Sequence, residues 1–309
     1  LNSDPGNPLL NRALAGRYPP GSTFKLFTAA IGLELGVIDP NAPMPLPCRG
    51  GMRYGNRYFG CWDRRGHGYV DLVDAIKQSC NVYFYQLGLK IGLDRFLEEA
   101  GRLGFRTTTG VDFPVELPGI VPSGRSWWKE RFGYDPQENE VLSLSIGQGA
   151  IDQTPLKLAQ LYVAFARDGR VVVPRFADLG RAPQITDHLD ISSENLAVLR
   201  EGLRRVLGEG GTARMASLEH WDLIGKTGTS QNPHGKDHAL FTGMAGPRGG
   251  DPEIVVVAVL EAGEHGYMAA QYAAKTADYY LRRKYDMPID TIQTLREHLL
   301  AGRPAPWAP

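Results

Sequence analysis

LIGKTGT at Leu223–Thr229, ALFTGMA at Ala239–Ala245 and IVVVAVL at Ile254–Leu260 are three apolar, β-branched runs of strand length, separated by turn-forming Gly, Pro, Asn and Asp. Connections this short join neighbouring strands in antiparallel order. Working outward, helical spacing appears on both sides of the runs: Pro155–Arg167 and Ser193–Leu207 before them, Ala269–Tyr285 after them. Strands grouped together with helices before and after predict an α+β fold, an antiparallel sheet flanked by helices.

Nearer the start, Pro19-Pro20-Gly21 closes a turn, and Phe24, Phe27, Ile31 and Leu35 recur at helical spacing, so a helix is expected over Ser22–Leu35, capped by Ser22 and stopped by Gly36. Asp71–Gln78 and Val82–Ile91 read as two short helices, with Ser79-Cys80-Asn81 as the polar joint between them. Glycine and proline make Thr107–Gly124 a loop region. With 309 residues the chain can bury a large core, and the simplest reading is one domain over 1–285, followed by a C-terminal helix and Pro-rich tail over 286–309. Lys plus Arg and Asp plus Glu both number 34, which leaves no electrostatic footprint for nucleic acid or an anionic surface. The run ending at Leu260 is far too short to span a bilayer.

Three short motifs carry chemistry. Ser22 and Lys25 lie three apart at a helix start, a spacing that puts a hydroxyl nucleophile beside an amine able to serve as its base once burial and a second cation lower its pKa. The Ser22 N–H is a candidate oxyanion donor. Ser79 and Asn81 present a hydroxyl for proton relay and an amide for substrate. Lys226-Thr227-Gly228-Thr229 ends a strand: Gly228 leaves the edge open to an extended peptide, Lys226 supplies the second cation, Thr227 and Thr229 suit a carboxylate, and the Thr229 N–H is the other oxyanion donor. Taken singly, each motif also fits a capped helix or a lysine-protected edge strand. Their order, and their placement at helix start, joint and strand end, is the signature of serine β-lactamases and penicillin-binding proteins.

The surrounding wording narrows this further. Tyr18-Pro-Pro-Gly-Ser-Thr-Phe-Lys25, Gly66-His-Gly-Tyr-Val-Asp-Leu72, Gln78-Ser-Cys-Asn-Val-Tyr-Phe-Tyr-Gln86, Ser145-Ile-Gly-Gln-Gly149 and Gly225-Lys-Thr-Gly-Thr-Ser-Gln231 resemble the class B penicillin-binding protein 2 family up to about Tyr285. The resemblance implies a D,D-transpeptidase in which Ser22 attacks the penultimate D-alanine of a stem peptide, Lys25 takes the proton, Ser79 and Asn81 complete the relay, and Lys226, Thr227 and Thr229 hold the terminal carboxylate. It implies covalent inhibition by β-lactams, no cofactor for the chemistry, a membrane glycosyltransferase partner, and a place at the periplasmic face of the inner membrane. It also implies that the family's first two sheet strands, its pedestal domain and its anchor precede Leu1–Ala15, so the first strands are expected to be absent here. No glutamate is followed four residues on by asparagine, which argues against a fast-deacylating class A β-lactamase. A D,D-carboxypeptidase, a non-catalytic β-lactam sensor and an inert remnant stay open.

Cys48, Cys61, His67 and Cys80 form a ligand set suited to a closed tetrahedral zinc site behind the Ser79–Asn81 joint. The alternative is a Cys48–Cys61 disulfide with Cys80 as a buried thiol.

Overall fold

The computed structural model describes residues 4, 6–177, 180–233, 235–289 and 293–308. In chain order its elements are helix α1 (Arg12–Ala15), a 3-10 turn (Gly21–Phe24), α2 (Lys25–Glu34), the hairpin β1 (Gly51–Tyr54) and β2 (Arg57–Gly60), α3 (Leu72–Lys77), α4 (Asn81–Ile91), α5 (Leu93–Arg102), α6 (Ser126–Phe132), α7 (Glu140–Leu144), α8 (Pro155–Ala166), the pair β3 (Arg170–Val172) and β4 (Ile185–His188), α9 (Ser193–Val206), β5 (Trp221–Ser230), β6 (His238–Pro247), β7 (Ile254–Leu260), α10 (Gly266–Lys284) and α11 (Leu295–Leu300).

The predicted strand triplet is present as one antiparallel sheet in the order β5-β6-β7, so β5 and β7 are its edges among the described residues. The first register runs Trp221↔Pro247 to Ser230↔His238 without a shift. Helix α10 packs on all three strands through the buried alanines Ala269, Ala270, Ala273, Ala274 and Ala277, side chains small enough to let helix and sheet approach closely. Its far end is held by Asp278, which accepts from Arg282 Nε and from Trp221 Nε1, each at 2.7 Å.

A second layer of helices is built around α2, whose residues Lys25–Leu33 are all buried. Phe24 packs tilted and Phe27 edge-to-face against Phe105, with ring centroids 4.8 and 4.9 Å apart, and Phe27 also meets Tyr162 and Phe165 of α8. Such aromatic contacts are worth roughly 0.5–1.5 kcal/mol each beyond burial and fix the rotation of α2. That rotation decides where Lys25 points.

Ser22 does not cap an α-helix: it sits within the 3-10 turn, which begins after Pro20 without a side-chain cap, and α2 starts at Lys25. The tight turn follows from Gly21 at φ +53°, a conformation that L side chains avoid. Gly36, at φ +63°, does follow the end of α2.

Candidate active site

Lys25, at the first turn of α2, is fully buried, and its three hydrogen bonds run to Ser79 O (2.8 Å), Ser79 Oγ (3.1 Å) and Asn81 Oδ1 (2.7 Å). None runs to Ser22 among the described residues. The second motif therefore closes on the lysine of the first. Ser79 reaches it because its own backbone is left-handed, φ +55°, at the joint between α3 and α4, a strained conformation of order 1–3 kcal/mol. Asn81 opens α4 behind Cys80, and its Nδ2 donates to Gly60 O of the β1–β2 hairpin at 3.2 Å. Neither Ser79 nor Asn81 caps α4, since Cys80 holds that position and makes no side-chain cap.

Burial lowers the Lys25 pKa to about 8, while the three nearby cysteines push it up. Lys226, also fully buried, donates to Thr227 O at 3.1 Å, and burial together with the charge of Lys25 holds it well below the usual lysine range. The expected influence of Lys226 on Lys25 thus runs the other way: Lys25 has three acceptors for its ammonium, Lys226 has one, and the proton is less tightly held where acceptors are fewer.

The nucleophile turn is pressed against the third motif. A Cβ on Gly21 would lie 2.5 Å from Thr229 O, and one on Gly228 would lie 3.0 Å from Thr23 Cγ2 and 3.1 Å from Pro20 O. On its other side Gly21 N donates to Gly147 O at 2.8 Å. Two contributors escaped the sequence reading. Thr212, in a glycine-rich turn, shares a hydrogen bond of 2.7 Å with the Thr227 hydroxyl, and Gln148 donates from Nε2 to Thr229 O at 3.0 Å. Thr212 carries no sequence signal; Gln148 lies inside the Ser145–Gly149 wording but has no chemistry of its own there. Thr227 is buried, whereas Thr229 is exposed.

The four candidate metal ligands come together: the ligand atoms that Cys48, Cys61, His67 and Cys80 could offer all lie within 4.8 Å of one another. His67 Nδ1 is 3.5 Å from Cys48 Sγ and 3.6 Å from Cys61 Sγ. A tetrahedral zinc with bonds of ~2.3 Å to sulfur and ~2.0 Å to nitrogen needs ligand separations of about 3.5–3.8 Å; the donor set fits the ion in number and chemistry, and the two His67–sulfur separations match it in spacing. All three thiols are free, and no disulfide joins Cys48 to Cys61. Hydrogen bonding from Cys80 drives the Cys61 thiol well below its usual range, helped by His67 and the Asn81 N–H, and the same bond together with burial raises Cys80. The Asn81 N–H points at Cys61 Sγ, at 3.4 Å, and a metal would displace the protons shared among the thiols and His67.

The penicillin-binding protein transpeptidase domain family matches residues 2–281. Peptidoglycan D,D-transpeptidase MrdA of Acinetobacter baumannii is 34% identical over 314 residues, which cover 94% of this chain and 46% of the relative. Pseudomonas aeruginosa PBP2 superposes with a TM-score of 0.80 at 32% identity, covering 93% of this chain and 66% of that one. The Helicobacter pylori penicillin-binding protein PBP2, solved in a complex with MreC, gives the same TM-score and identity over 91% of this chain and 52% of its own. The chain spans about half the length of the curated relatives it matches.

Proposed function

The chain belongs to the penicillin-binding protein transpeptidase family, and from that premise we propose that it carries the acyl-serine site of a peptidoglycan D,D-transpeptidase, with residues 1–285 as the transpeptidase domain and 286–309 as its C-terminal extension. The observation that carries the reading is the pair of contacts from Lys25 Nζ to Ser79 Oγ and Asn81 Oδ1, beside a nucleophile turn pinned to Thr229.

The roles follow from that geometry. A stem peptide lies extended along β5 with its terminal carboxylate at Lys226, Thr227 and Thr229. The arriving carboxylate favours the protonated form of Lys226, and that new cation in turn favours neutral Lys25. Ser22 Oγ attacks the penultimate D-alanine carbonyl and gives its proton to Lys25 Nζ, while the Ser22 and Thr229 N–H groups face the developing oxyanion. The amide C–N bond breaks, and terminal D-alanine leaves as an amine with a proton returned through Lys25 and Ser79. An amine from a neighbouring stem then attacks the ester and releases Ser22. β-Lactams acylate Ser22 in the same way.

Cys48, Cys61, His67 and Cys80 would hold a structural zinc ion that fixes the Ser79–Asn81 joint and supplies no step of the reaction. Coupling to a glycan-polymerising membrane partner at the periplasmic face completes the proposal; the complex of the H. pylori relative with MreC supports assembly with partner proteins.

The experiment is intact-mass labelling with a fluorescent penicillin, using Ser22→Ala as control and metal quantified in the same sample. An adduct on the wild type that is absent from Ser22→Ala, with one zinc per chain lost in Cys61→Ser, is expected. A folded wild type without adduct sinks the acyl-serine reading, and a metal-free wild type sinks the zinc site. Release of free D-alanine without cross-linked product would favour a carboxypeptidase instead.

A further inference from the structure

Along an edge strand, residues alternate between those whose backbone groups pair with the neighbouring strand and those whose N–H and C=O both face away from it. Thr229 is of the second kind. Its carbonyl oxygen lies against Gly21 of the nucleophile turn and accepts from Gln148 Nε2, although β6 is the only strand paired with β5 among the described residues. The Gln148 amide nitrogen is also 3.4 Å from the position a Cβ on Gly21 would take, so it sits in the gap between the turn and the strand.

The loop behind this side chain is fixed. Gln148 N donates to Ser143 O at 3.0 Å, Thr28 Oγ1 of α2 donates to Ser145 O at 2.9 Å, and Gly147 O accepts from Gly21 N. Gln148 itself is half-buried, and its side chain carries the reach to Thr229. A peptide that adds to the β5 edge must form backbone hydrogen bonds with its outward-facing groups. The Thr229 carbonyl is one of them, and in the free site it is already taken.

We propose that Gln148 is a displaceable latch on this edge: its carboxamide holds the place of an incoming backbone N–H and swings aside when an extended donor pairs with Thr229. The inference rests on the acyl-serine reading above and adds a specificity device to it. A ligand that brings an amide N–H to Thr229 must displace Gln148, and one without that group need not.

The test compares acylation of the wild type, Gln148→Ala and Gln148→Met by two probes: a penicillin with an acylamino side chain, and a carbapenem, which carries a hydroxyethyl group and no amide N–H there. Gln148→Met keeps the length and removes the donor without adding a charge. Both variants are expected to raise the penicillin rate constant about three- to tenfold, the worth of one net hydrogen bond. The gain should come from a lower half-saturation concentration with the limiting acylation rate unchanged, and carbapenem acylation should stay within about twofold of wild type. Equal changes for the two probes, no change for either, or a slower penicillin reaction would overturn the latch. Should neither variant fold, as read by circular dichroism, Gln148 is a structural tie and the latch is likewise refuted. A wild type that gives no adduct would remove the acyl-serine reading and the latch with it, whereas an adduct with unchanged variant ratios removes the latch alone.

Discussion

Replacing Gly21 by alanine tests how the nucleophile is placed. At φ +53° the residue is left-handed, which costs an alanine about 1–2 kcal/mol. Its new Cβ would lie 2.5 Å from Thr229 O, about 0.9 Å short of an ordinary carbon–oxygen contact of roughly 3.4 Å. The turn cannot retreat on its other side, because Gly21 N is bonded to Gly147 O and a Cβ on Gly147 would already lie 2.3 Å from Gly21 O. Turn and strand must part by most of that 0.9 Å, which moves Ser22 relative to Thr229. A misplacement near 1 Å costs on the order of 100-fold in rate. Gly21→Ala should therefore fold, melt roughly 2–6 °C lower, and acylate with a fluorescent penicillin about 100-fold more slowly. Wild-type labelling at an unchanged melting temperature would refute the reasoning, since it would mean that the close approach of turn and strand has no bearing on the nucleophile.

The remaining predictions concern the buried charges. With its pKa lowered to about 8, Lys25 is neutral in roughly a tenth of molecules at pH 7 and nine tenths at pH 9, so acylation should climb about tenfold between them; a flat profile would remove Lys25 as the base. The folded chain binds fewer protons at Lys25 than the unfolded chain between about 8 and the ordinary 10.5, so the burial penalty is full below that window and fades as pH rises through it. The pKa values of Lys226 and Lys157 are lowered by burial as well, so equilibrium denaturation across this range should show a steeper slope in the wild type than in Lys25→Met. Asp278→Ala strips its carboxylate from Arg282, whose side chain is 5% exposed, and takes the acceptor from Trp221 Nε1; a loss of about 3–5 kcal/mol is expected by urea denaturation. A loss below about 1 kcal/mol would show that the pair contributes little net stability.

The legible parts of this molecule are those with local periodicity or fixed spacing. The strand triplet lies within β5, β6 and β7, and Asp222 and other polar residues explain why β5 extends past the apolar run that marks it. Helix α5 carries Leu93, Phe96, Leu97 and Ala100 at helical spacing, yet the sequence reading places no helix there, and Gly92 at its start obscures the boundary. Hairpin β1–β2 turns at Gly55-Asn56, but its exposed residues break the alternation by which strands are recognised. In the site, the order of the motifs brings Ser22, Lys25, Ser79, Asn81 and Lys226 to notice, and cysteine clustering does the same for the metal ligands. What spacing cannot reveal is aim. That Lys25 turns to Ser79 and not to Ser22 depends on the aromatic packing that sets the rotation of α2, and Thr212 and Gln148 act through partners remote in sequence.

That remoteness has a kinetic consequence. Lys25 meets Ser79 across 54 residues, Gln148 meets Thr229 across 81, and Tyr162 OH reaches Thr23 O across 139. Each contact closes a long loop, and ordering such loops is slow compared with forming local helices. During refolding, the capacity to accept a covalent label should therefore emerge after tryptophan fluorescence and helical signal have recovered, which would make the adduct a marker of finished chains that separates them from collapsed ones.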